Sequence, residues 1–169
     1  MAPGGTFRRI LVPTDGSSHA TDAAHVALDV AALSGAEVVA VYVLSVRALA
    51  GAESAPLPPF LERRVQEGHA HLDAIVELGR QRGITVRPRV MEEYGWTPDA
   101  IIRAARDEAC DLIVMGSRGL TGLRKLFLGS VAYAVISRAP CPVLVVRKPG
   151  QGARSSGQAS STETGRPAF

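Results

Sequence analysis

Short, uninterrupted apolar runs constrain what this chain can fold into more than any other feature: Ile10 to Val12, Val38 to Leu44, Leu112 to Met115 and Val143 to Val146. The first and third read as buried strands, Val38 to Leu44 fits a strand covered on both faces, and Val143 to Val146 reads as a short last strand. A further run, Ile84 to Met91, alternates and contains Pro88, which suits an edge strand with one wet face. The segments between them carry helical spacing. Ala23, Ala27, Val30 and Ala31 share one face of a helix over His19 to Ser34, with Gly35 as its stop. Leu61, Val65, Leu72, Ile75 and Val76 mark a second helix, weakened by Gly68 and Gly79 and ended by Gly83. Thr97-Pro98-Asp99 opens a third with Thr97 as N-cap. Ile101, Ile102, Ala105 and Ala109 are its expected buried stripe, while Arg103, Arg106, Asp107 and Glu108 are expected to face water. Val131 to Arg138 reads as a fourth helix.

Strand and helix thus alternate from Phe7 to Arg147, and crossovers of this length imply a parallel sheet with helices on both faces. The expected fold is a single-domain α/β unit built on an open parallel five-stranded sheet. Residues 1–6 read as an N-terminal extension and 7–148 as the domain. Residues 149–169 lack Val, Ile, Leu and Met, cannot offset the entropy of ordering, and read as a disordered tail. Ser45 to Pro59, broken by Pro56, Pro58 and Pro59, reads as a connecting loop.

The formal charge of +3 is carried by scattered basic residues and only 5% of the chain is aromatic, so a solvated, Arg-rich surface is expected and nucleic acid is not. No apolar stretch approaches the roughly 18 residues of a membrane span, and Arg8-Arg9 is not followed by a signal-peptide pattern. A cytoplasmic location follows as the expectation. Cys110 and Cys141 are too few for a zinc site or disulfide framework and read as buried reduced thiols, although their places before neighbouring strands leave a redox clip open. His69 and Asp73, four residues apart, read as a solvated helix face, because zinc takes three or four ligands; His19 and His25 are treated alike.

Chemistry concentrates in the run from Met115 to Ser130, M-G-S-R-G-L-T-G-L-R-K-L-F-L-G-S, which leaves a buried strand and ends at a helix N-terminus. Bare N–H groups and the helix dipole make such a place suited to an anion. Gly116 and Gly119 let phosphate oxygens approach the backbone with no Cβ in the way, and Gly129 and Ser130 add a hydroxyl and further amides. Arg118, Arg124 and Lys125 supply charge. Met115, Pro13, Thr14 and Val41 are placed to line an apolar slot for a base. Asp15, on the loop after the first strand, is the partner from the opposite side. Its carboxylate suits ribose hydroxyls, or a divalent ion such as magnesium or manganese held through water; capping the first helix is the plainer alternative.

Counting excludes two common phosphate motifs. No glycine of the run is followed by Lys and then Ser or Thr, which rules out the P-loop, and glycines three apart rule out G-x-G-x-x-G. G-x-x-G, nine residues and then G-[ST], here Gly116, Gly119, Gly129 and Ser130, instead resembles the nucleotide-binding motif of the universal stress protein family. I-L-V-P-T-D-G-S, D-L-I-V-M-G-S-R-G-L, L-G-S-V-A and C-P-V-L-V-V add to the resemblance, which runs from Phe7 to about Lys148.

The resemblance implies strand order 3-2-1-4-5, an adenine nucleotide alpha hydrolase-like sheet, with the site between the first and fourth strands. It implies ATP as ligand, with magnesium or manganese, at Pro13, Thr14, Asp15, Val41, Met115, Gly116, Arg118, Gly119, Gly129, Ser130 and Val131. The chain departs at Ala132, where a hydroxyl residue can help hold phosphate. It also implies a homodimer through the last strand, residues 143–146, whose outer edge would otherwise be exposed. The function so implied is an ATP-binding stress-response protein acting as a switch that recruits a protein partner. No poised nucleophile, His–acid pair or general base lies near the loop, so no catalytic residue is assigned. A slow metal-assisted ATPase or nucleotidyl-transferring enzyme, and a structural dimer that binds no nucleotide, are the alternatives.

Overall fold

The computed structural model describes residues 7–46, 59–93, 95–119 and 128–147. In chain order these form β1 (Arg9–Thr14), α1 (Ser18–Ser34), β2 (Glu37–Ser45), α2 (Pro59–Gln81), β3 (Val86–Glu93), α3 (Thr97–Asp107), β4 (Leu112–Gly116), α4 (Ser130–Arg138) and β5 (Val143–Val146). The strands make one sheet of order β3-β2-β1-β4-β5, parallel at every pairing. That is the topology expected. Residues 149–169, Arg124, Lys125 and nearly all of the Ser45 to Pro59 loop lie outside the described residues.

Side-chain alternation along the strands divides the core in two. Ile10, Val12, Val38, Ala40, Tyr42, Leu44, Leu112 and Val114 meet α1 and α2 on one face. Leu11, Val39, Val41, Ile113 and Met115 meet α3 and α4 on the other. Ile10, Leu11 and Val12 are wholly buried, which is why a run with no polar alternation can be a strand. Alanines at 20, 23, 24, 27 and 31 form the buried face of α1, so the helix lies close to the sheet. Asp111 clamps the start of β1 by accepting from the Arg8 and Arg9 amides at 2.8 and 3.2 Å. Among the described residues, no helix is long and apolar enough to cross a membrane.

Three local expectations fail at α3. The helix starts at Thr97, so Trp96 is the N-cap residue and no side chain makes a capping bond. It ends at Asp107, and beyond that point helical spacing no longer says which way a residue faces. Ala109 adopts φ 48 and is exposed, leaving Ala104 and Ala105 in the buried stripe. Glu108 turns inward to 9% exposure, because Arg87 and Arg89 on the edge strand donate to it at 2.9 and 2.7 Å.

Helix α2 runs unbroken past Gly68, and tertiary contact explains the residue there. A Cβ on Gly68 would overlap the Tyr42 ring, which is buried at 4% exposure. The cysteines are free thiols; burial pushes Cys110 up to about 12 and moves Cys141 in the same direction, so both are protonated at neutral pH.

Helix propensity alone predicts that Gly68→Ala stabilises by about 1 kcal/mol. Overlap with Tyr42 costs about 1–3 kcal/mol and decides the sign, so a net loss is expected in urea unfolding. A gain in stability would contradict the packing described.

Candidate functional site

The sheet opens where β1 and β4 separate. Their register pairs are Ile10 with Leu112 and Leu11 with Ile113, whereas β1 stays paired with β2 as far as Thr14. Winding also reverses between these strands, since α1 and α2 cover one face and α3 and α4 the other. Loops leaving the two carboxyl ends therefore diverge around a crevice.

The first loop is built by its own side chains. Thr14 Oγ1 accepts from the Gly16 amide at 3.2 Å, and Asp15 Oδ1 accepts from the Ser17 amide at 3.0 Å. Ser17, rather than Asp15, is the N-cap of α1, its Oγ accepting from the Ala20 amide at 3.2 Å. Asp15 is thereby held in the turn ahead of the helix.

The second loop is closed by Ser117, which is buried at 3% exposure. Its amide donates to the Val146 carbonyl at 2.9 Å, and its own carbonyl accepts from the Gly129 amide at 2.8 Å. One residue therefore ties the end of β4 to β5 and brings Gly129 and Ser130 up to the Gly116–Gly119 stretch. Gly129 is the N-cap residue of α4 and has no side-chain cap, so the first amides of this nine-residue helix point out of its open end.

The loops meet at Asp15 and Gly119. A Cβ on Gly119 would overlap Asp15 Oδ2, so the carboxylate lies directly on that glycine. Gly116 lies against α1, with a Cβ there 2.8 Å from the His19 carbonyl carbon and oxygen. Arg118 Nε and His19 Nδ1 are buried with no hydrogen-bond partner among the described residues. A buried donor such as the Arg118 Nε–H is costly unless a further group satisfies it, which fits an anion beside Arg118.

The other expected residues are placed unevenly. Pro13 and Val131 are half-buried and Ser130 is exposed at the start of α4. Thr14, the last residue of β1, is 8% exposed, and Met115, next to last in β4, is 5% exposed and packed in the α3–α4 core. Val41 is wholly buried beside Pro13, its register partner on β1, and shows no surface of its own. Ala132 is packed in the core at 2% exposure, which leaves Ser130 as the hydroxyl at the helix end. His69 and Asp73 are exposed, and the described residues contain no cluster of three or more potential metal ligands. Sequence reasoning passed over Ser117, whose place between Gly116 and Gly119 was the available signal.

A family model described as the universal stress protein family matches residues 6–147. Universal stress protein MJ0531 of Methanocaldococcus jannaschii is 36% identical over 144 residues, 85% of this chain and 84% of that protein. Among solved structures, that of hypothetical protein MJ0577 superposes with TM-score 0.72 at 29% identity, covering 85% of this chain and 97% of its own. A universal stress protein solved in complex with cAMP superposes with TM-score 0.67 at 25% identity, covering 83% and 97%.

Capping assigned to Ser17 has a measurable consequence. Ser17→Ala is expected to lower unfolding stability by about 1 kcal/mol, the usual worth of an N-cap. Unchanged stability in chemical denaturation would contradict that assignment.

Proposed function

The chain belongs to the universal stress protein family, and from that premise we propose that it binds ATP between the β1 and β4 loops and acts in the cytoplasm as a nucleotide-set switch in stress response. The observation that carries the reading is the contact of Asp15 with Gly119 across the opening, next in sequence to Arg118, whose Nε is buried with no hydrogen-bond partner among the described residues. A relative bound to cAMP supports an adenine nucleotide as the class of ligand.

On this reading the phosphates lie over the amides at Gly116 to Gly119 and at the start of α4, where the dipole favours negative charge. Ser130 adds its hydroxyl and Arg118 its charge. Asp15 takes the ribose hydroxyls, or water on a magnesium or manganese ion that neutralises the phosphates. Pro13, Thr14 and Met115, with Val41, bound the base. Val131 follows Ser130 in the first turn of α4 and takes part through its amide. Asp15 Oδ1 is already committed to the Ser17 amide, which suits a fixed ligand better than a proton acceptor and favours binding over turnover.

The switch is proposed to work as a homodimer through residues 143–146 and to recruit a further protein partner. β5 ends the sheet, and Leu144 with Tyr133 and Ile136 on neighbouring α4 are 40%, 66% and 45% exposed. Burial of such an edge against a second copy removes an unpaired strand and covers the exposed Leu144 side chain.

Calorimetric titration tests the binding. Wild type is expected to bind ATP, and Gly119→Val, which drives a side chain into Asp15, to bind at least about tenfold more weakly, equivalent to about 1.4 kcal/mol. Equal binding by both, or none by wild type, would overturn the site; steady release of phosphate abolished by Asp15→Ala would favour the enzyme reading. Light scattering at micromolar concentration is expected to give a dimer for wild type and a monomer for Leu144→Arg. A monomeric wild type would refute the assembly.

A further inference from the structure

We infer that His71 is the positioning residue of the Asp15 turn, and that it couples the cleft to helix α2 on the opposite face of the sheet; the nucleotide half of this rests on the proposed ATP site. Gly16, between Asp15 and the Ser17 cap, adopts φ +79 and is in contact with the edge of the His71 imidazole. A Cβ on Gly16 would overlap Nε2, Cε1 and Cδ2 of that ring. Glycine is required there twice, once by the backbone angle and once by the neighbour.

The imidazole is itself backed. Tyr42, the register partner of Thr14, tilts against it with ring centroids 6.3 Å apart and planes at 38°. Tyr42 is buried and seated on Gly68 of the same helix that carries His71. Gly68, Tyr42, His71 and Gly16 therefore form one packed column from the middle of α2 to the tip of the β1 loop.

The turn is held between two contacts. Asp15 Oδ2 lies on Gly119, and Gly16, the next residue, lies on His71. Tyr42 belongs to the α1–α2 core whereas Val41 and Met115 belong to the α3–α4 core, so the column supports the loop from the side away from the expected base. Moving His71 releases Gly16, and through the Asp15 to Ser17 hydrogen bond it releases the carboxylate. Coupling of this kind is reciprocal: a ligand that fixes Asp15 must also order the His71 stretch of α2.

Hydrogen exchange and ATP titration on the full chain decide the matter. In the free protein, His71→Ala is expected to speed exchange of the Ser17 amide by about tenfold, a coupling of ordinary size for packed neighbours. ATP affinity is expected to fall by a similar factor, about tenfold. His71→Gln, which returns a nitrogen near the position of Nε2, is expected to restore most of both, as a general loss of helix stability would not be restored. In wild type, ATP is expected to slow exchange around His71. Unchanged Ser17 exchange in folded His71→Ala, or loss in both variants with no rescue, would overturn the positioning role. Absence of ATP binding by wild type would instead refute the nucleotide site, leaving Ser17 exchange to judge His71 by itself.

Discussion

Limited pairing between β1 and β4 is the constraint on which the rest depends. The two strands are held by adjacent register pairs near their starts, at Ile10–Leu112 and Leu11–Ile113, and by the Asp111 clamp on the Arg8 and Arg9 amides. Past that point they share no pair, although each keeps its other neighbour: β1 stays with β2 to Thr14, and β4 with β5 to Gly116. A right-twisted sheet whose helices change faces at one junction must open there at the carboxyl ends. Burial on both faces makes the opening affordable, because Ile10, Leu11, Val12, Ile113 and Val114 are wholly inaccessible and keep the strand bases fixed.

Polar groups finish what topology begins. Thr14, Asp15 and Ser17 satisfy the turn after β1 from within, while Ser117 joins β4, β5 and the start of α4 through its own amide and carbonyl. The two loops then approach until the Asp15 carboxylate touches Gly119. Small residues matter here because atoms of the opposite loop or helix already occupy the space a side chain would need. The same rule operates behind the loop, where Gly16 meets His71 and Gly68 meets Tyr42.

Much of this was legible in the sequence. Runs such as Val38 to Leu44 announce strands covered on both faces, and alternation of strand and helix fixes a parallel sheet. The pairing of Asp15 with the glycine loop follows from placing both at carboxyl ends on either side of the winding reversal. What was not legible is decided by tertiary partners. Glu108 turns inward for arginines on β3, and Ala109 turns outward where α3 has already ended. Gly68 reads as a weakness on a propensity scale and is a seat for Tyr42 in the fold. His71 was hidden for the same reason: its neighbour Gly16 lies far away in the chain, and spacing drew attention to His69.

Amide chemical shifts of the 15N-labelled chain, followed during titration with ATP and magnesium, test the central claim most directly. Shifts concentrated at Asp15 to Ser17, at Gly116 to Gly119 and at Ser130 to Ala132 are the predicted result. A titration that leaves those three stretches unmoved would contradict the account.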